Sequence, residues 1–292
     1  MRSKSVTSPF IVSLVIAPIA SLLAWSLGGP QSGSLVVKVL FVVTVMVEIF
    51  ALLQIMAARR MFSRSDPGHL TWTFIVAFLI VRLVAELRLI SITFDIVQVP
   101  ASMDSATPLR FFYVVWLRYL YTVSDVLFVG ALIATIRAYK STGLKFGLIG
   151  RDFLYILLVC AMPVTTYVFR GNLGLAGLIT SDSHIATYRL VAVFVGALIA
   201  ALCLVIRRFA VQMGGGAVSR VWSSVAAAGI ARDASFLALA LLSVWWRPGA
   251  EFLEQYLLWI FATLWLLAGI YQQEVLPQSS AVAAMQPAEL KA

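Results

Sequence analysis

Residues 70–92 read LTWTFIVAFLIVRLVAELRLISI, an apolar run that is interrupted by Arg82, Glu86 and Arg88. A helix needs ~20 consecutive apolar residues to cross a bilayer core about 30 Å thick. This run is long enough, and it carries Arg82 and Glu86 well inside it. It therefore predicts a membrane-spanning helix with charges at a depth where lipid would otherwise surround them.

Seven further runs have a similar length and composition: 9–28, 35–57, 110–136, 152–169, 185–206, 221–245 and 250–273. Hydrophobic residues make up 61% of the 292-residue chain and charged residues 12%, whereas an average soluble domain has about 25% charged residues. This composition excludes a water-soluble globular enzyme, a disordered chain and a disulfide scaffold. We expect an all-α, polytopic transmembrane bundle of about eight spans. It would form a single domain over residues 1–273, followed by a disordered tail at 274–292.

The first run, 9–28, has two interpretations. Arg2 and Lys4 precede it, and Ala17 and Ala20 lie near a position where a signal peptidase could cut. Its apolar stretch is longer than the ~7–15 residues of a signal-peptide core. We therefore expect a retained helix, and cleavage would leave seven spans.

The placement of Lys and Arg predicts the orientation. With the N-terminus in the cytoplasm, the inside segments hold 13 of the 22 Lys and Arg residues and the outside segments hold three. Short cytoplasmic loops concentrate positive charge in this way. Both termini are expected in the cytoplasm of a multi-pass protein of the cell membrane, inner or plasma. The net charge of +9 is attributed to these loops, so the lipid bilayer is the expected partner and nucleic acid is not.

A weak internal repeat is visible in the third and seventh runs. Trp72 is followed ten residues later by Arg82, and Trp222 is followed ten residues later by Arg232. A duplication of four plus four helices would divide the chain into 1–140 and 145–273. An even number of helices per repeat would make the two halves parallel.

Five ionisable residues fall near the middle of the predicted spans: Glu48, Arg82, Asp125, Arg232 and Asp233. A charge at that depth costs roughly 2.5–3.5 kcal/mol on insertion scales, so five facing lipid would cost on the order of 12–18 kcal/mol. This cost rivals the whole net stability of a protein, about 5–15 kcal/mol. We therefore expect these side chains to face the interior and to pair with one another or with water.

Spacing extends this polar interior. Arg82 and Glu86 are four residues apart and share one helix face. Arg118 and Asp125 are seven apart, almost two turns, and also share a face. The candidate site for a ligand or ion therefore comprises Glu48, Arg82, Glu86, Arg118, Asp125, Arg232 and Asp233.

Three functions and one purely structural role fit such an interior. A transporter or channel would bind a small anionic or zwitterionic solute or ion, with an arginine holding the anionic group and Glu48 or Asp125 as a proton or cation site. A sensor or assembly subunit would act through a partner protein. A membrane-embedded lipid enzyme would use Glu48, Asp125 and Asp233 as acid and base. Alternatively, the ion pairs fix helix register alone.

The sequence identifies no cofactor, and it favours no enzyme. The two histidines, His69 and His184, lie near the ends of runs, whereas a haem held between helices needs histidines within them. The last two runs contain no lysine that could hold retinal. No metal-binding or nucleophile motif is present in the sequence, and the identity of any cofactor stays open.

Overall fold

The structure, a computed structural model, describes residues 35–94, 116–140, 143, 147–170, 183–242 and 246–285. Over these ranges the chain forms seven α-helices and no strands, which confirms the all-α fold class. The predicted first span, 9–28, lies outside the described residues. The helices are Leu35–Arg60 (α1), Pro67–Thr93 (α2), Trp116–Tyr139 (α3), Gly150–Arg170 (α4), Ser183–Gln212 (α5), Ala217–Leu242 (α6) and Arg247–Met285 (α7).

Four segments of these helices are long and apolar enough to cross a membrane: Leu35–Arg60, Tyr119–Tyr139, Phe194–Gln212 and Pro248–Val275. In each segment fewer than half of the residues in its most apolar window, 33% to 44%, are buried inside the bundle. The chain is therefore a helical membrane protein. Helix α7 continues to Met285, past the predicted start of the tail at residue 274.

Helix boundaries follow from local chemistry. Pro67 begins α2, at the position where its missing N–H costs nothing. Asp152 accepts a hydrogen bond from the backbone N–H of Ile149 at 2.8 Å, which satisfies a free donor at the start of α4. The turn between α5 and α6 uses Gly214 and Gly215 at φ of 71° and 85°, a backbone region that glycine enters without steric cost.

Helices α2 and α3 run antiparallel, and so do α5 and α6. In α2 and α3 the rings of Phe78 and Phe128 lie 5.0 Å apart. One α2 turn earlier and two residues further along α3, Phe74 lies opposite Gly130. The same pattern joins α5 to α6, where the Ser219 hydroxyl donates to the carbonyl of Ala210 at 2.6 Å.

One end of the bundle gathers aromatic and basic side chains. Trp72 lies 6.2 Å from Trp222, and Tyr139 lies 6.0 Å from Trp222 and 4.8 Å from Phe209, measured between ring centroids. These contacts bring together the start of α2, the end of α3, the end of α5 and the start of α6. We call this the basic end, because it also holds Arg59, Arg60, Arg64, Arg137, Arg151, Arg207, Arg208 and Arg220.

A second aromatic cluster forms the core between the basic end and the deep charges. Phe78, Phe128 and Trp265 lie with their ring centroids 5.0 to 5.4 Å apart, and all three are fully buried. Phe261, one turn before Trp265 on α7, packs edge-on against Phe78 at 6.2 Å. This core holds α2, α3 and α7 together. It thereby fixes the position along the bundle of the residues one helical turn further from the basic end.

Helices α1 and α7 run parallel and approach closely at Gly269. Leu40 packs with Trp259, and further along both helices the Gln273 side-chain amide donates to the carbonyl of Gln54 at 3.0 Å. A Cβ atom at Gly269 would lie 2.9 Å from Gln54 Cβ and 3.1 Å from its carbonyl carbon. The two backbones therefore touch at a position that only glycine accommodates.

Gly269→Ala should lower the free energy of unfolding by about 1–3 kcal/mol, as overpacking does in a dense core. The matched control is Gly196→Ala in α5, where an added Cβ meets nothing within 4 Å. That change should be neutral or stabilising by up to about 1 kcal/mol, since alanine favours helix more than glycine does. Unfolding in mixed micelles measures both, and equal effects would contradict the close approach.

Candidate functional site

Arg82 of α2 lies between two carboxylates, one on α1 and one on its own helix. Its Nε atom lies 3.1 Å from Oε1 of Glu48, and its Nη2 atom lies 2.9 Å from Oε1 of Glu86. The guanidinium also lies over the ring of Phe261, 4.5 Å from its centroid. The three ionic side chains are at most 4% exposed, so they face the interior, as the sequence predicts. We call these three residues the Arg82 centre.

Arg232 of α6 forms a second group of the same composition. Its Nη2 atom is paired with Oδ2 of Asp125 on α3, and its Nη1 atom lies 3.1 Å from Oδ1 of Asp233. The guanidinium packs over the ring of Phe236 at 5.0 Å. Arg232 and Asp233 are buried, and the Asp125 side chain is 14% exposed. We call Asp125, Arg232 and Asp233 the Arg232 centre.

Helix α3 connects the two centres. Tyr121 lies under the guanidinium of Arg82, with its ring centroid 5.8 Å away, and its hydroxyl hydrogen-bonds the carboxylate of Glu86. Asp125 follows four residues later on the same face and binds Arg232. A single polar layer therefore runs from α1 through α2 and α3 to α6.

This layer lies at the middle of the bundle. Trp72 and Trp222 touch at the basic end, and Arg82 and Arg232 each follow ten residues later in the same helices. At a rise of 1.5 Å per residue, ten residues span about 15 Å. This is half of a bilayer core about 30 Å thick, so the arginines lie near its midplane if the tryptophans mark its edge.

Each centre holds one guanidinium and two carboxylates, so each has an excess of one carboxylate. The hydrogen bonding is also incomplete: among the described residues, Glu48 Oε2, Asp233 Oδ2 and Arg232 Nε are buried and have no hydrogen-bond partner. A buried polar atom left in this state costs about 1–3 kcal/mol. Each centre can therefore accept a proton or a cationic donor at a carboxylate that its arginine does not fully satisfy.

Six of the seven predicted site residues are brought together in these two centres. The seventh, Arg118, lies in α3, but its side chain is outside the described part of the structure. Sequence reasoning missed Phe261 and Phe236, which cover the two guanidinium groups. Neither carries a signal of its own, because a phenylalanine in an apolar run reads as ordinary core.

The described residues contain no group of three or more His, Cys, Asp and Glu side chains that could hold a metal ion. The chain matches no protein-family model, no curated protein and no solved structure. Its class therefore rests on the fold and the buried ion pairs: it is a helical membrane protein with ionisable side chains in its interior.

Proposed function

We propose that the protein binds and moves a small cationic or zwitterionic solute, or protons, through the polar layer formed by the two centres. It does so as a multi-pass protein of about eight spans in the cell membrane, with both termini in the cytoplasm. The observation that carries this proposal is the excess carboxylate in each centre, together with the unpartnered oxygens Glu48 Oε2 and Asp233 Oδ2.

The charge balance favours a ligand with a positive group over a purely anionic one. Both arginines already bind two carboxylates each. An anion would have to displace a carboxylate and then remain beside it in a site with excess negative charge. An ammonium group, a cation or a proton instead reduces that excess, and a zwitterion still offers its own carboxylate to an arginine.

Translocation would use the fact that the ion pairs join different helices. Glu48 and Arg82 connect α1 to α2, and Asp125 and Arg232 connect α3 to α6. Neutralising Glu48 or Asp125 weakens one connection and leaves the other intact. Binding of a proton or cation at one centre thereby changes how firmly those helices hold each other, which is the coupling that a carrier requires.

A sensor or assembly subunit is the second candidate. It is favoured because each of the four carboxylates is bound to an arginine, and ion pairs of this kind can fix which helices are neighbours. A membrane-embedded enzyme gains no comparable support. In a transporter the two unpartnered carboxylate oxygens would bind the solute, whereas in an assembly subunit the carboxylates would only hold helices together. A transport measurement distinguishes these roles.

The test is transport by the purified full chain in liposomes. We would follow protons with a trapped pH-sensitive dye, Na⁺ and K⁺ with trapped indicators, and zwitterionic amino acids with radiolabel. Glu48→Gln and Asp233→Asn should each lower the flux about tenfold or more. The positive group of the solute loses its hydrogen bond to a charged carboxylate, which is worth about 1.5–3 kcal/mol, and 1.4 kcal/mol corresponds to a factor of ten.

The control is Asp152→Asn, which weakens an ion pair with Arg208 at the basic end, 2.7 Å long and outside both centres. It should leave the flux unchanged. Wild-type protein that moves none of these probes but co-purifies with a membrane partner would support the assembly role and overturn transport. Amide variants that keep full flux would show that the carboxylates serve the fold alone.

A further inference from the structure

An open groove lies between α2 and α3 at the basic end, away from both centres. Its volume is about 430 Å³, within the ~300–1,000 Å³ that is typical of ligand sites. Six of the residues that line it are Leu70, Phe74, Gly130, Ile133, Ala134 and Arg137. Leu70 and Ile133 are 55% and 37% exposed, so the groove opens on the outer surface of the described helices.

Small residues on α3 create the space. Gly130 lies against the ring of Phe74, and a Cβ atom there would meet that ring at 3.4 Å. Ala134 follows four residues later on the same face and is buried. The two helices are therefore in contact at the floor of the groove, while the larger side chains of Leu70 and Ile133 form its walls.

The groove is apolar along its length and positively charged at one end. Arg137 is the one charged residue that lines it. Seven residues separate Arg137 from Gly130, or about 10 Å of helix. Arg137 is exposed, and within the described part of the chain it forms no ion pair. Its guanidinium therefore lies at the rim with its donors available.

We propose that this groove binds one anionic phospholipid from the leaflet at the basic end. An acyl chain lies between Leu70 and Ile133, and the headgroup phosphate is bound by Arg137. Arginine presents paired donors that match a phosphate, and basic pockets between membrane helices on the cytoplasmic side bind anionic headgroups. The apolar groove extends away from the charged end, and an acyl chain requires such a surface whereas a free phosphate does not.

The experiment is native mass spectrometry of the full chain titrated with phosphatidylglycerol or phosphatidylcholine of identical acyl chains. The wild type should bind phosphatidylglycerol about tenfold more tightly, a preference worth 1.4 kcal/mol. Arg137→Ala should abolish that preference. Its control, Arg60→Ala, removes an exposed arginine at the same end and should keep it.

A second variant tests the apolar part of the groove. Gly130→Leu places a side chain into it and should weaken binding of both lipids, whereas Gly196→Leu, at an open position of α5, should weaken neither. Equal binding of the two lipids by the wild type, or equal behaviour of Arg137→Ala and Arg60→Ala, would overturn the proposal. So would displacement of the lipid by inorganic phosphate alone, or a disulfide between Ile133→Cys and a cysteine placed in residues 9–28, because another segment would then fill the groove.

Discussion

Arg232→Ala should lower the free energy of unfolding by about 3–5 kcal/mol, the cost of removing one partner from a buried ion pair. The change leaves Asp125 and Asp233 in the interior with their charges uncompensated. The exposed side chains of Arg220 and Glu274, 3.4 Å apart at the basic end, provide the comparison. Arg220→Ala should cost about 0–1 kcal/mol, because solvent screens such pairs. Unfolding in mixed micelles at constant lipid content measures both.

A triple variant separates folding from function at the same centre. Replacing a group of buried ion pairs by well-packed hydrophobic residues of similar volume is often neutral or stabilising. Arg232→Met with Asp125→Leu and Asp233→Leu should therefore recover most of the stability that Arg232→Ala loses. Transport should stay lost, since the carboxylates are gone. A triple variant that is as unstable as Arg232→Ala would show that the damage comes from packing and not from uncompensated charge.

The sequence predicts which face each ionic residue occupies, because hydropathy and helical period determine it. Arg82 and Glu86, four residues apart, form the expected pair at 2.9 Å on one helix. Glu48 and Asp233 are both 2% exposed, as the cost of facing lipid requires. These predictions need only the distance along one helix and the identity of the surrounding solvent.

The partners across helices could not be predicted in the same way. Glu48 binds Arg82 and Asp125 binds Arg232, but nothing in either spacing determines which helices are neighbours. That choice depends on contacts such as the aromatic core of Phe78 and Trp265, whose residues look like any other apolar residues of a span. The division of the predicted polar stripe into two centres is a result of this packing.

The repeat of Trp72–Arg82 and Trp222–Arg232 remains a prediction. The two tryptophans touch. Each arginine lies ten residues after its tryptophan and binds two carboxylates. The two centres differ in the helices that supply their carboxylates. A duplication would therefore have to be followed by divergence in the helices around α2 and α6.

Arg82→Ala should cost about 3–5 kcal/mol of stability, because Glu48 and Glu86 lose their shared cation inside the bundle. Arg82→Lys is the sharper variant, since it keeps the charge. Arg82 uses two different nitrogens to reach two carboxylates while its flat guanidinium covers the ring of Phe261. A lysine ammonium is a point charge without this planar fork. It should lose one hydrogen bond, about 1.5–3 kcal/mol, and fold with weakened flux.

The solute concentration needed for half-maximal transport and the unfolding midpoint of Arg82→Lys together identify the role of Arg82. If its geometry positions the carboxylates for the solute, Arg82→Lys should raise the solute concentration needed for half-maximal transport and leave the unfolding midpoint above that of Arg82→Ala. If Arg82 serves charge balance alone, lysine should restore both quantities to wild-type values.

Adding Glu86→Gln to Arg82→Ala removes one of the two uncompensated carboxylates, so the double variant should be more stable than Arg82→Ala itself. A double variant that is less stable would contradict the assignment of uncompensated charge at this centre.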